Sequence, residues 1–421
     1  MPLPRQLEVA VRSAPVSAVV RPPGSKSFTN RALVTSALAR GVSRLHDPLE
    51  ADDTKAMRRG LGTLGVLIED NDDPWLVQGT AGALTVPVDS IDAGEAGTAA
   101  RFLTAVAALS PGPATIDGSA RMRERPMREL LAALKGMGVS IEDASGHLPV
   151  TIHGHGLEGG RVEVDPSRSS QFVSALLLIA PMARDKVEVV MTTEPVSRSY
   201  LTSTMEVMTA FGATVEDRGD RFLVAAGGYR AAHYEIEADA SAAAYPLVAA
   251  AITAGRVRIE GIPGSSTQPD LALIEILALM GCEVGREASG VVLAGPTAGL
   301  AAVDVDMSGA PDAVLALAVA CLFADGESRI RNIGSLRHKE SDRLVALETE
   351  LTRVGGDARV VGDDLVIRPG VLRPAIVNTY HDHRMAMALA LVGLRQPGIV
   401  IDEPGCVTKT WPGYFDVLAA L

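Results

Sequence analysis

The sequence predicts an α/β (α+β) protein of two domains, each assembled from three βαβαββ repeats. Three observations carry that expectation. A pattern of helix, glycine, strand, polar turn and strand occurs five times, and its marker residues Gly65, Gly138, Gly212, Gly281 and Gly355 are separated by 73, 74, 69 and 74 residues. A steady period of this length is the mark of an internal repeat. A second series of Ala, Leu and Val-rich helices interleaves with the first, opening near Ser25, Glu95, Ser169, Ala240, Pro311 and Asp382 on small or polar residues. Finally, 421 residues at 47% hydrophobic content exceed one core, which stops growing at about 250–300 residues.

From the N-terminus, 6–12 and 16–21 read as strands with no helix of their own. The run Pro22-Pro23-Gly24-Ser25-Lys26-Ser27-Phe28-Thr29-Asn30-Arg31 follows. Pro and Gly keep a helix from starting before Ser25, Ser and Thr hydroxyls suit its first turn, and the apolar run after Arg31 carries it on. Amphipathic helices are expected at 56–64, 127–137, 200–211, 270–280 and 341–354, each closed by a marker glycine. Alternating apolar residues after each glycine predict a hairpin. The last repeat has no hairpin and ends at 414–421, so the N-terminal strands are expected to complete it. That closure gives a middle domain at 23–238 and a second domain of 1–22 plus 239–421, joined by two crossings. A ligand cleft between the domains, closing to expel water, is the expected consequence.

Charge and composition narrow the partners. The 39 basic and 51 acidic residues give a net charge of −12, with no basic tail or aromatic-interleaved basic patch, so no nucleic-acid partner is expected. No apolar run reaches the length of a membrane span, and MPLPRQLEV lacks the apolar core of a signal peptide. No membrane partner and a cytoplasmic location are therefore expected. Cys282, Cys321 and Cys406 form no CxxC pair, which disfavours a disulfide framework or zinc site. The pairs His153/His155 and His381/His383 lack a further ligand at a recognised spacing, so no metal and no cofactor are expected. Gly154-His155-Gly156-Leu157-Glu158-Gly159 has dinucleotide-loop spacing, but no helix follows and it reads as a turn. Ser169 and Ser197 have no nucleophile elbow around them.

Chemistry-bearing residues collect instead at the expected helix N-termini. They include Lys26, Ser27 and Arg31, then Gly97, Thr98 and Arg101, then Arg125, Ser169, Ser170 and Gln171. Further on come Ser197, Tyr200, Asp312, Lys339, Glu340, Arg343, His383, Arg384 and Lys409. Taken singly, each has a plain explanation as a cap or a solvated charge. Taken together, cations converging with helix N-termini make a site for a doubly anionic ligand or for two anionic ligands.

The motifs PGSKSxxNRAL, EAGTAARF, GSARMRERPM, RSSQFVSALLLIAP, VSRSY, GAPDA, HKESDRL, DHRMAMA and GCVTKTWPGYF follow in this order along nearly the whole chain. In this combination the sequence closely resembles the EPSP synthase (3-phosphoshikimate 1-carboxyvinyltransferase) family. The resemblance implies a two-domain, inside-out α/β barrel-like fold of six βαβαββ units. It also implies enolpyruvyl transfer from phosphoenolpyruvate to the 5-hydroxyl of shikimate 3-phosphate, by addition and elimination with release of phosphate. Carried over by motif, shikimate 3-phosphate would meet Lys26, Ser27, Arg31, Ser169, Ser170, Gln171, Ser197, Tyr200, Asp312 and Lys339. Phosphoenolpyruvate would meet Lys26, Gly97, Arg125, Gln171, Arg343, Arg384 and Lys409. Asp312 and Glu340 would be the acid/base pair, with Lys26 a further proton-transfer group, and a monomer is expected. Glu95, Ala100, Phe102 and Ser335 depart from the family's usual residues at their positions. Two alternatives stand beside this reading. One is the related UDP-N-acetylglucosamine enolpyruvyl transferase, whose loop typically carries a Cys or Asp before its Arg, whereas GSARMRERPM has no Cys. The other is a non-catalytic phosphometabolite-binding protein, against which two carboxylates retained among cations argue.

Overall fold

The computed structural model describes residues 3–71, 73–143 and 145–421. Asp72 and Ala144, in the turns of two expected hairpins, lie outside the described residues, as do Met1 and Pro2 of the N-terminal segment. The marker glycines take φ of 91° at Gly65, 90° at Gly138, 81° at Gly212, 99° at Gly281 and 109° at Gly355. A left-handed residue ends a helix by turning the chain back, and only glycine does so without a Cβ penalty. A hairpin follows each. The pairs are Leu67–Glu69 with Trp75–Thr80, Ser140–Asp143 with Val150–His153, Val215–Asp217 with Arg221–Val224, Glu283–Glu287 with Gly290–Ala294, and Asp357–Val361 with Asp364–Arg368.

The chain divides into two compact units, Gly24–Ile236 and Met1–Pro23 with Glu237–Leu421. In the first unit each hairpin pairs antiparallel with a strand that has a parallel neighbour on its other side. Ile91–Asp92 beside Pro113–Asp117 and Gly160–Val164 beside Val187–Met191 supply two such parallel pairs. The third is closed by the end of the unit, because Tyr229–Arg230 and His233–Glu235 run parallel to Ala39–His46. Strands such as Val150–His153 alternate buried and half-buried residues, so these sheets present one face to a core. That core is formed by the helices Lys26–Leu38, Gly97–Ala107 and Ser170–Ile179, which are buried along most of their length. Helices inside and sheets outside invert the usual barrel arrangement.

The second unit repeats the plan with the helices Ala240–Ile252, Val314–Cys321 and His383–Gly393, in which every residue is buried. Its parallel pairs are Ser17–Val20 with Arg256–Glu260, Asp304–Asp306 with Ser328–Arg331, and Ala375–Asn378 with Ile399–Asp402. The two N-terminal strands go to different sheets. Gln6–Glu8 pairs antiparallel with Ile399–Asp402 and serves the last repeat. Ser17–Val20 instead opens the sheet of Arg256–Glu260, which corrects the expectation that both segments complete the last repeat. Every parallel pair needs a leading strand, and Ser17–Val20 fills that place for the one repeat whose predecessor lies in the other unit. Two smaller differences concern helices. Residues 270–280 begin as a 3-10 turn, Pro269–Leu271, before the α-helix Ala272–Leu279, and a short helix, Ala120–Glu124, was not foreseen.

Small side chains let these inner helices approach one another. Ala318 and Ala249, in helices that contact each other, have no exposed surface. Ala318→Leu adds three carbons at such a position and is expected to lower stability by about 1–3 kcal/mol in urea unfolding. An unchanged midpoint would show unfilled space around this helix.

Candidate active site

In the unit Gly24–Ile236 the site residues are built outward from Arg31, on the helix Lys26–Leu38. Its side chain is 2% exposed. Nη1 donates to Ser27 Oγ at 2.5 Å and to the Ser27 carbonyl at 2.9 Å, and Nε donates to Thr204 Oγ1 at 2.8 Å. Nη2 reaches Ser174 Oγ at 3.4 Å and the Tyr200 carbonyl at 3.2 Å, and the guanidinium lies 5.5 Å from the Phe102 ring centroid. These hydrogen-bond acceptors are all neutral. Burial pushes the Arg31 pKa down to about 10, against the pull of Tyr200 and Tyr234. A buried cation held by neutral groups gains most from an anionic ligand.

The neighbouring helix starts differ in how they are capped. Ser25 occupies the N-cap of Lys26–Leu38, but its hydroxyl makes no capping bond, contrary to the sequence expectation. Thr29 Oγ1 donates back to the Ser25 carbonyl instead, at 2.8 Å. Ser169 does cap Ser170–Ile179, accepting the Gln171 N–H at 3.3 Å, and Ser170 is buried beside it. Gln171 accepts from Arg101 Nη1 at 2.5 Å and donates to Thr98 Oγ1 at 3.1 Å. Arg101 also donates to the Pro126 carbonyl at 3.2 Å, next to Arg125. The Arg125 guanidinium lies against the Gly97 backbone, for a Cβ on Gly97 would sit 2.6 to 2.8 Å from its atoms. Lys26 is paired at 3.2 Å with Asp53, whose side chain is buried. Ser197 holds φ of 54°, an uncommon conformation for a serine, and accepts the Tyr200 N–H at 3.1 Å. Lys26, Ser27, Gly97, Arg125, Ser169, Ser170, Gln171, Ser197 and Tyr200 thus all join the fabric around Arg31 and Arg101 or border it. Tyr200 reaches Arg31 through its backbone rather than its phenol.

The other unit builds its site around Arg343, the first residue of the helix Arg343–Arg353 and 1% exposed. Nε and Nη2 grip the two Asp382 oxygens at 2.7 and 3.1 Å. Nη1 donates to Asp312 at 3.0 Å and Nη2 to Glu340 at 3.0 Å. Arg384 reaches the other Asp312 oxygen at 3.2 Å, Lys339 approaches Asp312 at 3.4 Å, and Lys409 stands 3.9 Å from Glu340. Asp382 caps the helix His383–Gly393 through the Arg384 N–H at 2.9 Å. It therefore ties Arg343 to the turn that carries Arg384. Burial alone would lower the Arg343 pKa, but Asp382, Glu340 and Asp312 outweigh it and raise the net value, so its charge is permanent. Sequence reasoning named Asp312, Lys339, Glu340, Arg343, Arg384 and Lys409, and the structure joins all six. It missed Asp382, whose only signal was an acidic residue at a helix start, and Asp53, which lay ahead of the helix expected at 56–64 and stands in the first turn of Asp52–Thr63. Among the described residues no group of three His, Cys, Asp or Glu side chains is arranged to hold a metal ion. Among the described residues, too, no helix is long and apolar enough to cross a membrane.

A family model described as EPSP synthase (3-phosphoshikimate 1-carboxyvinyltransferase) matches residues 11–418. A protein named 3-phosphoshikimate 1-carboxyvinyltransferase from Nostoc punctiforme is 41% identical over 417 residues, covering 97% of each chain. Its namesake from Thiobacillus denitrificans is 42% identical over 415 residues, covering 96% of this chain and 97% of that one. Among solved structures, an EPSP synthase from Acinetobacter baumannii superposes with a TM-score of 0.83 at 26% identity, across 99% of this chain and 97% of that one. The enolpyruvyl transferase NikO from Streptomyces tendae gives a TM-score of 0.81 at 19% identity, across 99% and 97%, a likeness of fold alone.

Removing the Arg343 charge leaves Asp382, Glu340 and Asp312 short of their shared buried partner. Arg343→Met is expected to cost about 3–5 kcal/mol of stability at pH 7. Urea unfolding checks the loss, and Arg343→Lys, which keeps the charge, should recover part of it; an equal loss in both variants would mean that packing, not charge, was removed.

Proposed function

The chain belongs to the EPSP synthase family, and from that premise we propose how its residues carry out the family's reaction. The protein is a transferase that moves the enolpyruvyl group of phosphoenolpyruvate to the 5-hydroxyl of shikimate 3-phosphate, in aromatic amino-acid biosynthesis. The observation that carries the assignment of roles is that Asp312 and Glu340 each lie 3.0 Å from a different Nη atom of Arg343. One guanidinium fixes two carboxylates, and so sets their spacing before any substrate arrives.

Asp312 accepts the proton of the attacking hydroxyl as its oxygen bonds to C2 of phosphoenolpyruvate, while Glu340 delivers a proton to C3. The product of that addition is a tetrahedral adduct. Its breakdown reverses the proton traffic at C3: Glu340 takes the proton back as the C2–O bond to phosphate breaks, and inorganic phosphate leaves with the proton held by Asp312, so both carboxyl groups return to their starting states. Arg125, Arg343 and Arg384 suit the planar carboxylate of phosphoenolpyruvate, because a guanidinium offers two parallel donors. Lys26 and Lys409 offset the charge of its phosphate and of the leaving group, Lys26 also serving in proton transfer, while Gly97 and Gln171 border the same ligand. Ser27, Arg31, Ser169, Ser170, Gln171, Ser197 and Tyr200 hold shikimate 3-phosphate, with Lys26, Lys339 and Asp312 completing its set. The neutral surroundings of Arg31 support a phosphate role, since a dianion supplies the countercharge that the protein withholds.

The two compact units, Gly24–Ile236 and Met1–Pro23 with Glu237–Leu421, serve as the domains expected at 23–238 and 1–22 plus 239–421, with boundaries one to two residues away. The protein works in the cytoplasm as a monomer on small-molecule substrates. Its net charge of −12 disfavours nucleic acid or an anionic membrane surface as a partner.

Mixing the protein with shikimate 3-phosphate and phosphoenolpyruvate is expected to release phosphate only when both are present. Phosphate release from phosphoenolpyruvate alone at the same rate would contradict the transfer reaction. Lys26→Ala is expected to weaken both substrates and turnover together, by about 100-fold or more in kcat/KM, and full activity would reduce Lys26 to a partner of Asp53. Gly97→Ala pushes a methyl into the Arg125 guanidinium, the mobile end of a side chain, so folding should survive while KM for phosphoenolpyruvate rises.

A further inference from the structure

Asp270 has no place in the roles assigned above, yet it is built into the same cluster as Asp312. The sequence presents it as a first-turn acid of an amphipathic helix, a place normally filled by a solvated carboxylate. In the structure it is 4% exposed, within the turn Pro269–Leu271. Oδ1 accepts the Ala313 N–H at 3.2 Å, and the Ser241 hydroxyl donates a short hydrogen bond to Oδ2. The Ala313 N–H belongs to the peptide plane attached to the Cα of Asp312. Asp270 therefore grips the backbone that aims the Asp312 carboxylate. Burying a carboxylate is costly, and a helix-dipole role would need no burial.

We propose that Asp270 is a positioning residue for the transfer reaction, fixing the Asp312 peptide and, through its own negative charge, keeping the Asp312 carboxylate basic enough to take the substrate hydroxyl proton. The inference rests on the assignment of Asp312 as that base. Two carboxylates in one buried cluster make each other harder to ionise, so each is more basic than it would be alone. The charged and titratable groups facing the pair are known from each neighbouring element. Asp270 feels Asp312, Arg384 and Asp239, the last being the cap of the helix Ala240–Ile252. Asp312 meets Lys339, Arg343 and Arg384. Tyr245 lies beside Arg384, but burial first, against the Arg384 charge, pushes its phenol up to about 12, so it stays neutral throughout the working range. Asp270 itself is pushed up to about 6, by burial first and then by the Asp312 charge, while Arg384 and the Ser241 hydrogen bond pull the other way. Its charge is thus present near neutral pH, where the base is needed, and is lost on acidification.

The test is the pH profile of kcat for the full-length protein with Asp270→Asn. A carboxamide oxygen still accepts the Ala313 N–H, so the backbone grip is kept and only the charge goes. Asp312 then becomes a weaker base. In the parent the rate falls as Asp270 takes its proton; with that titration gone the acid limb of the profile should move to lower pH by about one unit, and the plateau should fall about threefold to tenfold. Substrate ionisation is common to parent and variant and cancels in the comparison. Ser241→Ala gives a second variant: without the hydroxyl, Asp270 loses its charge at higher pH, so the acid limb should move upward while the plateau above it is kept. An acid limb that fails to move downward in folded Asp270→Asn, or that stays at the parental pH in folded Ser241→Ala, overturns the proposal, even if the rate falls, because a purely structural role lowers kcat without shifting the limb. Asp312→Asn separates the two levels of the account. Parental turnover in that variant would remove the base assignment itself. A dead Asp312→Asn beside an unshifted Asp270→Asn limb would leave the assignment standing and remove Asp270.

Discussion

The buried guanidinium of Arg343 is the constraint on which the charged cluster of the unit Glu237–Leu421 depends. Three carboxylates, from Asp312, Glu340 and Asp382, reach it from three separate segments of chain. Moving one charged side chain to 1% exposure costs several kcal/mol, and so does burying each acid near it. The arrangement survives because every charge in it has an opposite charge within hydrogen-bonding distance, or close to it. Its consequence is geometric. The 310–313 loop, the 338–342 turn and the start of the helix His383–Gly393 are locked to one planar group, so the two carboxylates proposed to move protons cannot drift apart. Arg31 presents the opposite case in the other unit, where a buried cation is left to neutral acceptors.

The fold serves these clusters by putting helix N-termini where the charges are. Each unit buries three apolar helices and covers them with sheets. The inner helices are rich in Ala, Val and Leu, so they carry little that is polar along their length, and polar residues gather at their first turns instead. There, uncovered N–H groups and the positive end of the dipole favour anions. Lys26, Gly97, Ser170 and Arg384 all stand in such first turns. Repeating one supersecondary unit is thus a way of repeating an anion-binding end.

Much of this was legible in the sequence because it is local. A glycine that must take positive φ at the end of a helix is visible as a glycine, and five of them at a regular spacing expose the repeat. The hairpins followed from alternation, and the gathering of charged residues at helix starts could be read from residue types. What was not legible depends on partners distant in the chain. Nothing in residues 17–20 says that they pair with Arg256–Glu260 rather than with the C-terminal strands, since register is decided by which sheet edge is open. Asp270 looked like an ordinary first-turn acid, Asp382 like a helix opening and Asp53 like a residue ahead of its helix, and only burial and a facing cation distinguish them. Ser25 looked like a cap and is not one, whereas Ser169 looked the same and is.

The central claim is that the two carboxylates held by Arg343 do different work, Asp312 on the substrate hydroxyl and Glu340 on C3 of phosphoenolpyruvate. The most direct measurement uses phosphoenolpyruvate deuterated at C3, with shikimate 3-phosphate in ordinary water, and follows label loss from recovered substrate by mass spectrometry. Reversible addition lets the parent protein wash out deuterium as C3 gains and loses a proton. The account predicts that Glu340→Gln, folded and still able to bind both substrates, loses this exchange together with turnover. Label exchange at the parental rate in Glu340→Gln would contradict it, because some other group would then be handling the proton at C3.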